Sequence, residues 1–472
     1  MRRTALARST SASAVASQLL AYGFAYAHPP ARRLRRFLWR SLLALALIPC
    51  AAAPAAHAPA FSTNGDETLA NLIAEALERN RAIRSAEWQE RAAREGIAAA
   101  TALPDPSLQV TGFPRGPETR VGPQIAGIAV TQRLPWFGKL TDEGEALARQ
   151  AELRGALVNV LRADTVKQVK VAYYEAAYLA RAIRIASEEA ESLRHYESLA
   201  RARYAQGVGL QRDVLRIQAE ITRVQGRLQE LEAERRAVAA NLNALRHQPI
   251  ERPLPTVTPG VRPTAKLNGG ALRASARSFA PEAGVTAAKL AQETARLRLA
   301  EQRHLPDLAL AAGWGLVGGR RDEVGRLNPP PGNGEDTFHV SVGVSIPLQR
   351  AKYDAGRRRV GANRAAAEEA HRSALANVDA GVRAIVSRIK ALGERIVLAE
   401  GTLLPQAEAA LGSTEEAYAT GAVGVLELLD DERMLLDVHL AIAGLEADYM
   451  KALANMERII GTPFPVAGGS DP

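Results

Sequence analysis

Apolar and polar residues alternate strictly in one stretch of the second half of the chain. Every even-numbered residue from 338 to 346 is apolar, and the intervening residues are His339, Ser341, Gly343 and Ser345. A period of two predicts a β-strand, here over about 337–347, with one apolar face. Weaker alternation of the same kind predicts three further strands, at about 106–113, 124–134 and 307–316.

Two much longer stretches have the composition and spacing of helices. Residues 139–203 contain no proline and consist mainly of good helix formers, so they predict a helix of about 98 Å. That length exceeds the helices of ordinary globular domains. Across residues 210–245 apolar side chains recur at spacings of three and four, interrupted at Arg235, which predicts a coiled-coil seam. The sequence thus predicts long helical hairpins at 139–246 and 352–460.

The chain repeats itself. Three landmarks occur twice in the same order, at offsets of 202, 212 and 214 residues: Leu-Pro-Asp at 103–105 and 305–307, an apolar residue and proline at 134–135 and 346–347, and Tyr-Ala-x-Gly at 204–207 and 418–421. This predicts a tandem duplication, with a first structural repeat at 61–247 and a second at 271–461. A linker rich in proline and glycine at 248–270 separates them, and residues 462–472 form a C-terminal tail. Shorter helices precede the strands, at about 66–102 and 271–304.

The positive charge of the chain is concentrated at its beginning. The formal net charge is +9, but the first 60 residues hold eight arginines and no acidic residue. The rest is nearly neutral, which excludes a basic footprint for nucleic acid. Basic residues at 32–36, apolar residues at 41–48 and the small residues Ala58-Pro59-Ala60 predict an export signal, so residues 1–60 are a leader region. A disordered basic tail is the alternative.

No segment after the leader reaches 18 consecutive apolar residues, so the sequence predicts no transmembrane helix. Any membrane crossing must then use β-strands, and the four predicted strands have about the length required. Four strands cannot close a barrel, whereas two copies of the chain supply eight and three copies supply twelve. Trp136, Phe137 and Trp314 are candidates for the membrane interface. A pair of soluble hairpins on a helical protein is the alternative.

The sequence offers no catalytic or metal site. Cys50 is the only cysteine, so disulfides and thiolate metal sites are excluded. It follows a short apolar run, as a lipidated cysteine would, although Pro49 stands where a small residue is expected. The eight histidines are scattered, and the chain has neither a P-loop nor G-x-S-x-G. We therefore predict a protein without cofactor or enzymatic activity.

The residues around the two predicted turns are similar to motifs of the TolC-type outer-membrane efflux proteins. The similarity extends over about 66–461. Residues 132–139, QRLPWFGK, resemble the strand-to-helix entry of members that serve metal-cation pumps. The two turns carry the most specific marks, at 203–207 and 213–218 for the first and at 418–421 and 427–430 for the second.

This resemblance implies a fold that is mainly α with a small membrane β part. The duplicated helix–strand–strand–long helix–turn–helix unit would form a trimeric α-barrel tunnel capped by a 12-stranded β-barrel. The implied location is the cell outer membrane, with a long periplasmic extension, and the implied function is a passive exit duct of a tripartite efflux or export system. The implied partners are a homotrimer, a periplasmic adaptor (membrane fusion) protein, an inner-membrane pump and outer-membrane lipid. A periplasmic coiled-coil adaptor or a structural scaffold is the alternative function.

The resemblance also assigns roles to residues at the turns. Glu427 and Asp430 correspond to carboxylates of the periplasmic aperture, and Tyr418 with Asp213 corresponds to a contact that holds neighbouring tips closed. Glu427 and Asp430 are three residues apart and therefore share a helix face. Threefold symmetry would repeat them as rings that favour cations. Ordinary acids at the start of a helix are the alternative.

The same turns are the predicted docking surface for the adaptor. Its predicted residues are Tyr204, Gly207, Gly209, Gly421 and Gly424. The glycines permit the chain to reverse, and we expect them also to let the backbone of the adaptor approach closely.

Overall fold

The structure is a computed structural model, which describes residue 63, residues 66–255, residue 257 and residues 267–464. All of them belong to one unit of the chain, Ala58–Pro472. The predicted leader at 1–60 and the lipidation candidate Cys50 lie outside the described residues. So do residues 258–266 of the predicted linker and the tail from residue 465.

The first half of the described chain runs from two shorter helices through a pair of strands to two long helices. Its elements are α1 (Glu67–Arg79), α2 (Arg81–Thr101), β1 (Ser107–Gly112), β2 (Glu118–Thr119), β3 (Gly122–Leu134), α3 (Lys139–Ala205) and α4 (Gln211–Leu245). With 67 residues, α3 extends for about 100 Å. The two-residue β2 pairs with the beginning of β3 and belongs to the loop between the long strands.

The second half repeats this order. Its elements are α5 (Gly269–Phe279), α6 (Pro281–Gln302), β4 (Leu308–Val317), α7 (Glu323–Leu327), β5 (Thr337–Val344), α8 (Arg350–Leu398), a π-helix (Ala399–Leu403), α9 (Leu404–Thr420) and α10 (Val425–Ile460). The π-helix divides a helix that the sequence predicted as continuous. A mainly α fold with a small β part is confirmed. Within the described ranges, no helix combines the length and the hydropathy needed to cross a membrane.

Each half divides the helix that precedes its strands, although the sequence predicted continuous helices over about 66–102 and 271–304. Asn80 ends α1 and caps α2, because its Oδ1 accepts hydrogen bonds of 2.9 and 3.3 Å from two backbone amides in the first turn. At the equivalent place, Pro281 begins α6 directly after Ala280. Proline at the first helical position loses no hydrogen bond. The prediction of one continuous helix before each pair of strands was wrong. Asparagine and proline are both favoured at the start of a helix, and here Asn80 and Pro281 each begin a second one.

The long strands form an antiparallel sheet in the order β1-β3-β4-β5. Leu108 lies opposite Val130, Ile128 lies opposite Trp314, and Trp314 lies opposite Phe338. Directly opposed residues share a face of the sheet. The register therefore places the even-numbered residues of these strands on one side.

The two faces of the sheet differ in chemistry. The even-numbered face carries apolar side chains that are 40–68 % exposed, namely Leu108, Val110, Ile128, Val130, Leu310, Trp314, Leu316, Phe338, Val340, Val342 and Val344. The other face is polar or small, with residues such as Gln109, Thr111, Thr131, Gly313, His339 and Ser341. No element of the described chain covers the apolar face.

The helices pack along α3, which contributes most of the core of the first half. On α4 the residues that face it are Val214, Ile217, Val224, Leu231 and Leu242, each at most 8 % exposed. Burial of each such side chain stabilises the fold by about 1.5–3 kcal/mol. The predicted seam is therefore a packed face. Leu210 departs from it, because it precedes the helix and is 53 % exposed.

Two ion pairs, one buried and one partly exposed, join α3 of the first half to α10 of the second. Lys170 donates from Nζ to Glu457 Oε2, and the two side chains are 3 % and 7 % exposed. The neighbouring Arg458 is 8 % exposed and binds Asp164 of α3 at 2.8 Å and Glu282 of α6 at 2.6 Å. Lys170, Glu457 and Arg458 are thus buried charges that link the two halves, whereas Asp164 and Glu282 are 34 % and 49 % exposed.

Candidate functional site

Two tight turns end the long hairpins, and both have the same backbone geometry. We call residues 206–210 the first tip and residues 421–424 the second tip. Gly207 and Gly421 have φ angles of +76° and +84°, a left-handed conformation that favours glycine. In both, the following amide bonds back to the preceding helix, from Val208 N to Arg203 O at 3.1 Å in the first tip. This is the Schellman ending of a helix, so both glycines are required by the reversal itself.

The other two glycines of the tips differ from each other. A side chain at Gly209 would place its Cβ 2.9 Å from the backbone nitrogen of Tyr204, which cannot move aside. A Cβ at Gly424 would instead meet a carboxylate oxygen of Glu427 at 3.0 Å, and that flexible side chain can turn away. Packing within the chain therefore explains Gly209 but not Gly424. The prediction that Gly424 admits an adaptor stays a prediction.

Arg203 connects the two tips within one chain. Its guanidinium carbon lies 4.9 Å from the centre of the Tyr418 ring, and Nη1 donates a hydrogen bond to the Tyr418 carbonyl. A cation over an aromatic ring contributes about 0.5–1 kcal/mol at an exposed site. The side chain also passes close to Gly421, where a Cβ would lie 2.9 Å from Nη2. The second tip therefore rests on an arginine from the last turn of α3, just before the first tip.

Tyr418 and Asp213 are near each other in the single chain, without being bonded. Burial raises the pKa of the Tyr418 hydroxyl, the Arg203 guanidinium lowers it, and the Asp213 carboxylate raises it. Among the described residues no hydrogen bond joins Tyr418 to Asp213, and Asp213 lies 3.7 Å from Arg212. A contact between Tyr418 and Asp213 of neighbouring tips stays a prediction.

Glu427 and Asp430 are exposed on the first turns of α10. Asp430 Oδ1 lies 3.4 Å from Nη1 of Arg433, whose Nε donates to Glu220 Oε1 of α4 at 3.0 Å. Asp430 therefore shares its arginine with a second carboxylate. No ion pair involves Glu427 within the described part of the chain, so Glu427 carries the less neutralised charge of the two.

Sequence reasoning included Arg203 in the motif of the first turn without assigning it a role, and it missed Arg433. Arg203 directly precedes Tyr204, but the equivalent residue before Tyr418 is Ala417, so the repeat gave no support for a role. Arg433 follows Asp430 by three residues, and this spacing on a helix is a signal that could have identified the pair.

Aromatic residues mark two levels of the sheet. Trp136 and Phe137 contact each other edge to face at the helical end, with ring centres 6.1 Å apart. Trp314 and Phe338 form a similar pair, at 6.5 Å, toward the loop end. Six residues of β4 separate Leu308, at the helical end, from Trp314, a distance of about 20 Å. The two aromatic pairs thus lie near opposite ends of the sheet, and their place at a membrane interface stays a prediction.

The junction between strand and long helix gives residues 132–139 a structural role. Lys139 Nζ donates to Asp307 Oδ1 at 2.8 Å, and the backbone amide of Trp136 donates to the same oxygen at 3.1 Å. Gln132 donates to the carbonyl of Pro104 at 2.7 Å. The junction thus fastens β3 and α3 to the start of β4. Among the described residues, no group of histidine, cysteine and acidic side chains could hold a metal ion.

Comparison with known proteins identifies the family. The model of the outer membrane efflux protein family matches residues 72–246 and 272–462. The chain belongs to this family, which confirms the resemblance found at the tips. Members of this family are channels of the outer membrane and not enzymes, and the chain is accordingly an outer-membrane protein with a long helical part in the periplasm.

Individual relatives agree with this assignment. Outer membrane protein TolC of Vibrio cholerae serotype O1 is 26 % identical over 184 residues, which cover 37 % of this chain and 40 % of that protein. The match thus spans less than half of the relative. The outer-membrane channel OprN has a TM-score of 0.67 at 22 % identity, covering 84 % of this chain and 90 % of its own. The outer membrane protein VceC from Vibrio cholerae has a TM-score of 0.68 at 18 % identity, and the match covers 84 % of this chain and 97 % of VceC. These two structures share the fold.

Proposed function

We propose that the chain is one protomer of a homotrimeric exit duct in the outer membrane, serving a tripartite efflux or export system. In this proposal the duct is passive. Three copies pool their strands into a 12-stranded β-barrel, and their helices form an α-barrel tunnel in the periplasm. The tips dock a periplasmic adaptor protein, which links the duct to an inner-membrane pump.

The observation that carries the proposal is the uncovered apolar face of the sheet. Apolar side chains on all four long strands of the described chain point to one side, and the opposite side is polar or small. Lipid outside and water inside would suit these two faces. The alternative function, a periplasmic adaptor or scaffold, does not explain this face. In such a protein the apolar side chains would be exposed to water.

The edges of the sheet support assembly from several copies. β1 and β5 are the outer strands of the described sheet, and each leaves a row of backbone groups without a neighbouring strand. In lipid, each unpaired group costs several kcal/mol. Consecutive strands are antiparallel, so β1 and β5 run in opposite directions. The β5 edge of one copy can therefore pair with the β1 edge of the next in the same antiparallel pattern.

The aperture and the docking surface are assigned to the two tips. Glu427 and Asp430 would line the narrowest part of the duct at the end far from the strands. The contact of Arg203 with Tyr418 would help to hold the tip helices together in the resting state. Val208, 67 % exposed, and Tyr204, 50 % exposed, give the first tip an apolar surface suited to a helical adaptor.

Metal cations are the proposed cargo, because residues 132–139 resemble the strand-to-helix segment of family members that serve metal-cation pumps. The contacts of Gln132, Trp136 and Lys139 build the strand junction and do not form a cation site. The cargo is therefore tested separately from the channel, by measuring metal tolerance of cells that lack this chain.

Cross-linking between strand edges tests the proposed assembly. Gln109→Cys in β1 and Ser341→Cys in β5 lie on the polar face of the two edges. With a short bifunctional thiol reagent in native membranes, the double variant should give a ladder that ends at three chains. Each single variant is the matched control and should give no ladder. A ladder that ends at two chains, or none in the double variant, would contradict the trimer.

A further inference from the structure

Glu189 is a carboxylate buried in the helical core. It lies on α3, about 24 Å before the helix reaches the first tip. Its side chain belongs to the face that also carries Ile185, Ala186 and Leu193, which are 0–6 % exposed. Glu189 itself is 6 % exposed, and neither carboxylate oxygen has a hydrogen-bond partner in the described part of the chain. Because both oxygens are inaccessible, a neighbouring subunit could not reach them either.

The charged groups around Glu189 are mostly acidic. Glu432 and Asp437 face it from α10, and Glu220 faces it from α4. Glu432 is itself only 7 % exposed. Two favourable charges also act on Glu189, those of Arg227 on α4, which is exposed to solvent, and Arg433 on α10.

The arginines of this region bind other carboxylates and make no hydrogen bond to Glu189. Arg433 of α10 binds Glu220 at 3.0 Å, and Arg223 of α4 pairs with the same carboxylate. Glu415 of α9 lies close to Glu432 and accepts a hydrogen bond from Tyr196 of α3. The cluster therefore lies between four helices, α3 and α4 of the first half and α9 and α10 of the second, and its carboxylates outnumber its cations.

An ionised carboxylate buried without a partner is strongly destabilised, so it acquires a cation or a proton. A metal ion is disfavoured, because no group of ligands with suitable geometry occurs among the described residues. We propose that Glu189 is a proton-binding site, and that loss of its proton loosens the contact between α3 and α10 above the tips. This site acts within one chain and goes beyond the proposed channel function.

The direction of the pKa shifts agrees with this geometry. Burial, followed by the charges of Glu432, Glu220 and Asp437, raises the pKa of Glu189 to about 8. Burial and the Glu415 charge raise the pKa of Glu432 to about 7. In the unfolded chain both would titrate near 4.5. Between these values the native state binds more protons than the unfolded state, so stability falls as pH rises from about 4.5 to 8.

Difference infrared spectroscopy of the full protein in detergent tests the proposal directly. Between pH 6 and pH 9, wild type should lose the carbonyl absorption of a protonated carboxylic acid, with a midpoint at about pH 7–8. Glu189→Gln should remove the share of that signal with the higher midpoint, leaving the share of Glu432, and should flatten the fall of the unfolding temperature over the same pH range. Glu188→Gln is the matched control, since Glu188 is exposed and paired with Arg184 at 3.0 Å; it should behave like wild type.

Three results would overturn the proposal. The first is the absence of a protonated-carboxyl signal in wild type at pH 6, which requires no variant. The second is a signal that persists unchanged in Glu189→Gln. The third is the same pH dependence of unfolding in Glu189→Gln and wild type. If Glu189→Gln does not fold, the wild-type titration and Glu432→Gln still decide the question.

Discussion

The buried pair of Lys170 and Glu457 allows a quantitative test of how the two halves are held together. Lys170→Met keeps the length and apolar stem of the side chain but removes the ammonium group. Glu457, 7 % exposed, then loses the cation that compensates its charge. Removal of one partner from a buried pair costs about 3–5 kcal/mol. We therefore expect Lys170→Met to lower the free energy of unfolding of the helical part by this amount at neutral or higher pH.

The loss of stability caused by Lys170→Met should depend on pH in a defined direction. Burial raises the pKa of Glu457, and Lys170 lowers it. Without Lys170 the carboxyl group is protonated more readily, and a neutral carboxylic acid is less costly to bury. The destabilisation should accordingly be greatest at alkaline pH and decrease as the pH falls. The double variant Lys170→Met with Glu457→Gln should recover most of the loss, because no charge is left unpaired.

Urea unfolding followed by helical circular dichroism measures these differences in a double-mutant cycle. Arg184→Met is the matched control on the same helix, because its ion pair with Glu188 is about 60 % exposed on both sides. Exposed pairs of this type contribute at most about 0.5 kcal/mol. If Lys170→Met changes stability no more than Arg184→Met does, the pair does not hold α3 to α10, and the reasoning is refuted.

Two further predictions concern the tips. Arg203→Ala removes both contacts with Tyr418 and should raise the open fraction in planar bilayers without changing ion selectivity; an unchanged open fraction would show that the contact does not restrain the tips. Glu427→Gln combined with Asp430→Asn should reduce cation selectivity and block by multivalent cations, with the larger share from Glu427, since Asp430 is partly neutralised by Arg433. Unchanged selectivity would mean that both are ordinary acids of the first helical turns.

The sequence predicted the elements well where local pattern and tertiary packing agree. The alternation around Val340 and Val342 identifies β5, because a strand with one apolar face requires a period of two. β5 nevertheless ends at Val344, before the predicted 347, and Pro347 cannot donate to a ladder. The repeated Tyr-Ala-x-Gly turns also located both left-handed glycines, Gly207 and Gly421.

Other features depend on tertiary contacts that local pattern does not contain. Glu189 lies in the polar run Ser-Glu-Glu-Ala-Glu-Ser, which is typical of an exposed helix face. Its burial follows only from the packing of α10 against α3. Lys170 is likewise paired across 287 residues of chain. The residues around Asn80 are compatible with one continuous helix when only the sequence is considered. The structure shows that the helix divides at Asn80.

Single-channel recording from purified, cross-linked protein tests the central claim most directly. The material is the three-chain product of Gln109→Cys with Ser341→Cys, isolated by mass and inserted into a planar bilayer. If strands of three copies form one duct, this covalent trimer should conduct ions with stable unitary steps, and neutralising Glu427 should lower its preference for cations. A covalent trimer that inserts but does not conduct, or conduction by protein whose native mass is that of one chain, would contradict the account.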